Sequence, residues 1–575
     1  MPVARRRLPA VLAISLAVVS SFAAAAVAAA PLVARANGTP AAPPASRAAD
    51  PAALITAAGL RADIAAIADD STEGRAPGTP GDRKARGYLI RRLEEIGFQP
   101  GAADGQWEQP ITFIGLTVQG LDLLRVAGPR GEATFRWGDE FICGAGVQEP
   151  RVSVPATEVV FVGYGIQAPE YQWDDFKGAD LKGKILLVLN NDPDWDPALF
   201  AGRKRLFYGR WDYKFESAAR QGAAAAIILH TEESAGYPWS VVRRSWSGTQ
   251  FQLPAGPEPH LGFRGWLTEP AVRRLCTLAG RNLDSLIAAA RSRDFRPVPL
   301  GVTTSLAFDV AIEQAPTANV IGVLSGSDPG LSDQAVVFSA HHDHLGVGAP
   351  DSTGDRIHNG ALDNASGCAQ MLAIERALAA TRPGPRRSVI ALFVAGEEQG
   401  LLGSQYYAAH PTRPLARIVA DINFDGGNVL GRTSDVAVIG KGKSDLEDRL
   451  VTVARAQKRA VVDEPEPDKG YYYRSDQLSF ARVGVPAIYF KSGQTFLGRP
   501  AGWGREREAE YRRRHYHQPS DELRPDWNFS GMIEDAQLAY RLGLDILNGA
   551  TLPAWYKGDE FEAARKRTMA EAGGR

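Results

Sequence analysis

Five residues with metal-binding side chains follow one another along the C-terminal half of the chain: His341, Asp363, Glu398, Asp425 and His517. A further carboxylate, Glu397, adjoins the third, and Asp343 lies two positions beyond the first. Two imidazoles and three carboxylates make a donor set for two adjacent divalent cations, and zinc suits mixed nitrogen and carboxylate ligands. Such ions acidify water and polarise a carbonyl, while a carboxylate left free of them can carry the proton. The chemistry these residue types point to is hydrolysis, with a peptide bond as the target and Glu397 as the free carboxylate.

The elements that must position them are legible in the flanking text. His341 and Asp343 lie in SAHHDHLG, directly behind AVVFSA, a short apolar run that predicts a buried strand. Asp363 lies in NGALDNASG, ahead of ASGCAQMLAIERALAA, where Cys368, Met371, Leu372 and Leu378 recur with a helical period. Glu397 and Glu398 follow the strand-like SVIALFVA through Gly396, and Asp425 ends IVADINFD. His517 sits in HYHQPSDE, before a final helix starting near Gly531. Strand ends entering loops are where open α/β sheets carry their chemistry. Taken singly, each residue has a plainer reading: Asp363 as a helix N-cap, the glutamate pair as partners of a helix dipole, His517 as a surface histidine. The ordered set exceeds those readings. His342, His344 and His358 occupy the same words and are read as site-lining or structural.

SAHHDHLG, GALDNASG, AGEEQGLLGS, NFDGGN, RSDQLSFARVGVPAIYF and YHQPSDE, in that order, resemble the M28 family of zinc peptidases, which includes bacterial aminopeptidases and glutamate carboxypeptidase-like enzymes. STEGRAPGTPGDRKARGYLIRRLEEIGF is similar to that family's N-terminal segment, so the likeness spans nearly all of the mature chain. The resemblance implies an α/β fold with a mixed, mostly parallel sheet flanked by helices, and two Zn2+ per chain. It implies His341 and Asp425 on one ion, Glu398 and His517 on the other, and Asp363 between them. Glu397 becomes the general base and Asp343 the carboxylate holding His341. Asp363 and Asn364 resemble a family pair joined by a cis peptide. Tyr473 and Asp476 match positions that contact substrate, although Tyr471 and Tyr472 compete with Tyr473 for that place. The implied activity is that of an aminopeptidase acting on peptides. A glutamate carboxypeptidase-like enzyme is the alternative; an inactive receptor-like ectodomain predicts missing ligands, and a glutaminyl-cyclase-like transferase a one-zinc site.

At 575 residues with 44% apolar content, the chain exceeds what one core usually supports. Lys and Arg total 65 against 66 Asp and Glu, a net charge of −1 that gives no case for nucleic acid or an anionic membrane as partner. Arg5, Arg6 and Arg7 precede an Ala- and Leu-rich stretch, so residues 1–36 read as a cleaved signal peptide, with an uncleaved anchor as the alternative. Export to a periplasm or beyond follows. A Pro- and Ala-rich linker is expected over 37–49, the N-terminal part of the peptidase domain over 50–144, its catalytic part over 305–550 and a C-terminal tail over 551–575. Between them, 145–304 carries EVVFVGYGI, KILLVLNN and AAAIILH, runs of a smaller β-rich domain that resembles the protease-associated (PA) insert of some M28 enzymes. A PA domain leaning over the cleft would bring Trp211, Tyr213 or Arg243 to substrate; ordinary surface or core places are the competing reading. FLGRPAGWGREREAEYRRRH, between Gly493 and His515, reads as a rim loop or a solvated charge run. Three cysteines, Cys143, Cys276 and Cys368, exclude a disulfide scaffold; a Cys143–Cys276 bridge stays open, and Cys368 reads as a buried thiol.

Overall fold

A computed structural model describes residues 50–573. The expected signal peptide and linker lie outside them. Four apolar words of the C-terminal half form the central strands Ala335–His341, Ser388–Val394, Ile418–Phe424 and Ala487–Ser492. The first pairs in parallel with the second and third, and the third with the fourth. Antiparallel strands flank this group: the end of Val298–Leu324 beside Ser388–Val394, and Asp435–Val438 beside Ala487–Ser492. The result is the mixed, mostly parallel sheet that the sequence implies.

Both faces of that sheet are buried, which explains why its strands read as unbroken apolar runs rather than alternating ones. Val336, Phe338, Ala340, Val389, Ala391 and Phe393 enter one core, while Ala335, Val337, Ile390, Leu392 and Val394 enter another. This is the two-residue period of a pleated strand. Helices Ala57–Ile67, Pro80–Ile96, Ser366–Ala380 and Ser530–Asn548 fill the first core, and Leu402–Ala409 and Gln477–Arg482 cover the second. Their ends are set locally. Thr79 caps Pro80–Ile96 by accepting from the Asp82 amide, Pro80 begins it, and Gly97 at φ 101° ends it in a conformation only glycine adopts cheaply.

A second sheet lies ahead of the catalytic words. Ile185–Leu189 runs parallel to Arg151–Phe161 and to Ala225–His230, Phe263–Thr268 continues the parallel row, and Phe141–Ala145 closes it antiparallel. It too is two-sided: Ile185, Leu187 and Leu189 pack on one face, Leu186 and Val188 on the other. Pairing widens this insert beyond 145–304. Phe141–Ala145 is part of its sheet, and Glu108–Gln119 pairs with Asp309–Val320 inside Val298–Leu324. That one 27-residue strand runs through both sheets, so backbone hydrogen bonds cross the expected boundary at 305.

The C-terminal residues are not a loose tail. Trp555 donates its indole N–H to the Gly484 carbonyl, Glu560 accepts from Tyr473 and Lys443, and a further helix, Glu562–Gly573, follows the one expected to be last. Cys143, Cys276 and Cys368 are all buried and unbridged. Among the described residues, no helix is long and apolar enough to cross a membrane.

Candidate metal centre

The parallel strands end at one edge, and the predicted ligands gather there. His341 closes Ala335–His341, Asp425 follows Ile418–Phe424, and Glu397 and Glu398 follow Ser388–Val394. Asp363 precedes helix Ser366–Ala380, and His517 lies in the loop before Ser530–Asn548. Two glycines let the chain pass. Gly396, at φ 71°, would set a β-carbon 2.5 Å from the Phe113 ring; Gly360, at φ 56°, would set one 2.2 Å from the Asp363 carbonyl oxygen. His517 itself takes φ 58°, an uncommon conformation for a residue with a β-carbon.

The donor atoms form two groups that share one residue. His341 Nε2 lies 3.4 Å from Asp363 Oδ1 and 3.6 Å from Asp425 Oδ1. His517 Nε2 lies 3.3 Å from Asp363 Oδ2 and 3.1 Å from Glu398 Oε2. The two oxygens of Asp363 thus face opposite groups. His517 Nε2 is buried yet makes no directed hydrogen bond, despite two carboxylate oxygens in reach. Nitrogen and oxygen donors converging without hydrogen-bond geometry are what a cation requires, so the residues fit a metal centre. Glu397 lines the same cavity as Asp363 and Asp425, a cleft of about 1350 Å³.

Electrostatics give the same picture. Burial alone would lower His341, yet Glu397, Asp343, Asp363 and Asp425 raise it well above the ordinary imidazole range. Burial likewise opposes the rise of His517, but Glu398 and Asp363 push it up to about 11. Burial raises Glu397 well above the carboxylate range, reinforced by Asp425 and Glu398 despite His341. A pocket that forces protons onto its imidazoles carries an excess of negative charge, which a bound cation would relieve.

A supporting layer holds these groups. Asp343 accepts from the amides of Glu397 at 3.1 Å and Glu398 at 3.4 Å, while its own carbonyl and carboxylate lie 3.2 and 3.7 Å from His341 Nδ1. It therefore fixes the glutamate turn as well as the imidazole. The Asp363–Asn364 peptide is cis, and Asn364 accepts from the Gly426 amide and donates to the Phe424 carbonyl, joining the Asp363 and Asp425 loops. Tyr516 stacks on His517 with ring centroids 3.8 Å apart.

Two supporting residues, Asp521 and Arg75, were missed in the sequence, while a third, His344, was read there as site-lining or structural. Asp521 accepts from the amides of Leu362 and Asp363; it stands in YHQPSDE but acts on a loop far away in the chain. His344 Nδ1 lies 2.6 Å from Glu398 Oε1, so His344 joins His517 at that carboxylate. Arg75, fully buried, donates to the carbonyls of His342, Asn359 and Gly360, clamping the loops that carry His341 and Asp363. Its signal, an arginine in the glycine-rich EGRAPG, was present but carried no period.

The expected substrate contacts fare differently. Tyr473 is buried and donates to Glu560 at 2.6 Å, away from the cleft, because Tyr471 takes the lining place in the same turn. Asp476 lies buried behind the site, accepting from Ser404 at 2.6 Å. Trp211, Tyr213 and Arg243 are absent from the cleft wall: Trp211 packs on Trp246, Tyr213 bonds to Gln167, and Arg243 lies near Asp139. Gly236 and Tyr237 are the insert residues that reach it. The charged insertion forms the helix Trp503–Arg514, whose Trp503, Arg507 and Tyr511 line the cleft.

Residues 319–541, which hold every ligand named above, match the model of Peptidase family M28. The chain is similar to a probable leucine aminopeptidase 2 of Aspergillus oryzae, at 24% identity over 377 residues, 64% of this chain and 61% of that protein. It is similar to a probable zinc metalloprotease of Pyricularia oryzae, at 30% identity over 165 residues, 28% of this chain and 29% of that protein. The chain thus spans less than two thirds of the length of these curated relatives. An aminopeptidase structure from Aneurinibacillus sp. strain AM-1 aligns at 18% identity and a TM-score of 0.48, covering 86% of this chain and 95% of that one.

Proposed function

We propose, for a chain whose residues 319–541 belong to peptidase family M28, that it is an exported zinc exopeptidase, most directly an aminopeptidase. The observation that carries this reading is the sharing of Asp363 between two donor groups, with Glu397 free beside them. His341 and Asp425 would hold one zinc, Glu398 and His517 the other, and Asp363 would bridge. When bound, the zinc ions supply Lewis acidity to the scissile carbonyl and lower the pKa of water.

The chain's own groups then do the following. Glu397, whose carboxylate burial makes unusually basic, takes the proton of the attacking water on a carboxylate oxygen and returns it to the leaving amine nitrogen. Asp343 keeps that carboxylate in place through the Glu397 amide. Asp343 and the stacked ring of Tyr516 fix the orientations of His341 and His517. The insert, read as a protease-associated domain, contributes Tyr237 to the cleft wall. The charged and Ala-rich residues 1–36 support export.

A panel of matched peptides, with the amino terminus free or acetylated, tests the reading. Cleavage of free-amine peptides alone, lost on chelation and regained with zinc, is expected; equal cleavage of acetylated peptides would favour the carboxypeptidase alternative.

A further inference from the structure

Arg474 lines the cleft that holds Asp363 and Glu397, in the turn Tyr471–Arg474, three residues from the strand-facing Gln477. Among the described residues it makes no ion pair and no hydrogen bond, and its Nε is buried without a partner. Its neighbours add charge of the same sign. Burial lowers Arg474 to about 10, and next in influence come Arg210, the phenols of Tyr237 and Tyr471, and Arg205; no carboxylate figures among them. Arg205 and Arg210 come from the insert, and each also has a buried Nε without a hydrogen-bond partner. Arg210 has Asp212 at 3.6 Å and Arg205 donates to the Ser234 carbonyl, whereas Arg474 has no polar partner and only lies over the Tyr471 ring, 5.4 Å from its centroid. Tyr471 is engaged as well, accepting from Arg512 at 2.6 Å.

A half-buried arginine beside two others, its Nε without a partner, is stabilised when an anion completes it. Its planar fork matches a carboxylate in two parallel hydrogen bonds. The cleft therefore has two poles: a negatively charged cradle for cations at the strand ends, and the guanidinium of Arg474 in the wall, with Arg205 and Arg210 of the insert behind it. We infer that Arg474, with Tyr237 beside it in the cleft wall, forms a subsite for a carboxylate of the peptide substrate, either an acidic side chain or the free C-terminus. This rests on the exopeptidase reading for its substrate class, and on the orphaned guanidinium for its location. It makes peptides with a carboxylate on the leaving side the preferred class.

Three peptides, compared in two pairs, separate the two sources. Leu-Glu amide against Leu-Gln amide isolates the side-chain carboxylate; Leu-Gln against Leu-Gln amide isolates the terminal one. In at least one pair the acid is expected to show kcat/KM about tenfold higher, mostly through KM, as for one charge-assisted hydrogen bond. Arg474→Met should collapse that ratio to about one, Arg474→Lys should keep part of it, and Arg210→Met should reduce it less than Arg474→Met. Calorimetric titration of the full chain with glutarate, against neutral glutaramide, reads the same site without turnover. Glutarate should bind at least about tenfold more weakly to Arg474→Met. Ratios near one in both wild-type pairs, or glutarate binding unchanged in Arg474→Met and in Arg474→Lys, would overturn the subsite. If no peptide is cleaved, the exopeptidase reading fails while the glutarate titration still decides this one.

Discussion

Two regions of this molecule bury several charges together, and they solve the problem differently. In the insert, Asp175 accepts from the Ile166 amide and the Trp173 indole, Asp192 accepts from the Leu206 amide, and the fully buried Lys214 donates to the Tyr164 carbonyl. Burial pushes both acids up to about 7 and Lys214 down to about 7, while each side partly offsets the other. That cluster is closed, because its charges face one another and backbone groups complete it. At the strand ends, Asp363, Glu398 and Asp425 have imidazoles as their ion-pair partners, and no lysine or arginine forms an ion pair with them or with Glu397 among the described residues. Perturbed titration by itself does not mark a functional site. An unbalanced excess of one sign, with donor atoms converging on one another outside hydrogen-bond geometry, does.

Several substitutions would break or sharpen that contrast. The largest effect is expected at Glu397→Gln, which should keep zinc content at the wild-type level while kcat falls about 10²–10⁴-fold, measured by steady-state kinetics beside elemental analysis. Lys214→Met should do the opposite. It should lower unfolding stability by about 3–5 kcal/mol in denaturant titrations at pH 8, because two buried acids lose the ammonium they share, and leave zinc content alone.

Glu375 supplies a third case and a smaller effect. It is fully buried in helix Ser366–Ala380 with neither carboxylate oxygen partnered, and burial alone raises it well above 4.5. The folded state then binds more protons than the unfolded one above pH 4.5, so this group costs nothing below that value and destabilises increasingly as pH rises. Glu375→Gln should flatten the decline and add on the order of 1–3 kcal/mol at pH 8, read from unfolding curves at pH 5 and pH 8. A lone buried acid takes a proton, a mixed cluster neutralises itself, and the strand-end cradle has only a cation to turn to.

How much of this the sequence disclosed depended on whether a residue's role was local. His341, Asp363, Glu397, Glu398, Asp425 and His517 were legible because each stands in a distinctive word and most of them lie where a patterned element begins or ends. The central sheet was legible for the same reason, since strands buried on both faces announce themselves as apolar runs. Tyr473 was misplaced because three tyrosines in one irregular turn have no period to say which faces the cleft. Asp521 and Arg75 escaped because their partners, the Leu362 and Asp363 amides and the His342 carbonyl, lie at long sequence separation. The pairing across residue 305 was not legible, because the single strand Val298–Leu324 serves two sheets and alternation along it does not reveal a change of partner.

The central claim is that Asp363 stands between two cations. Anomalous diffraction at the zinc edge, from crystals of the zinc-loaded full chain, tests it directly. The account expects two peaks flanking the Asp363 carboxylate, one beside His341 and Asp425 and the other beside Glu398 and His517, with both weakened in Asp363→Asn. A single peak, or two peaks that persist undiminished without the Asp363 carboxylate, would contradict it.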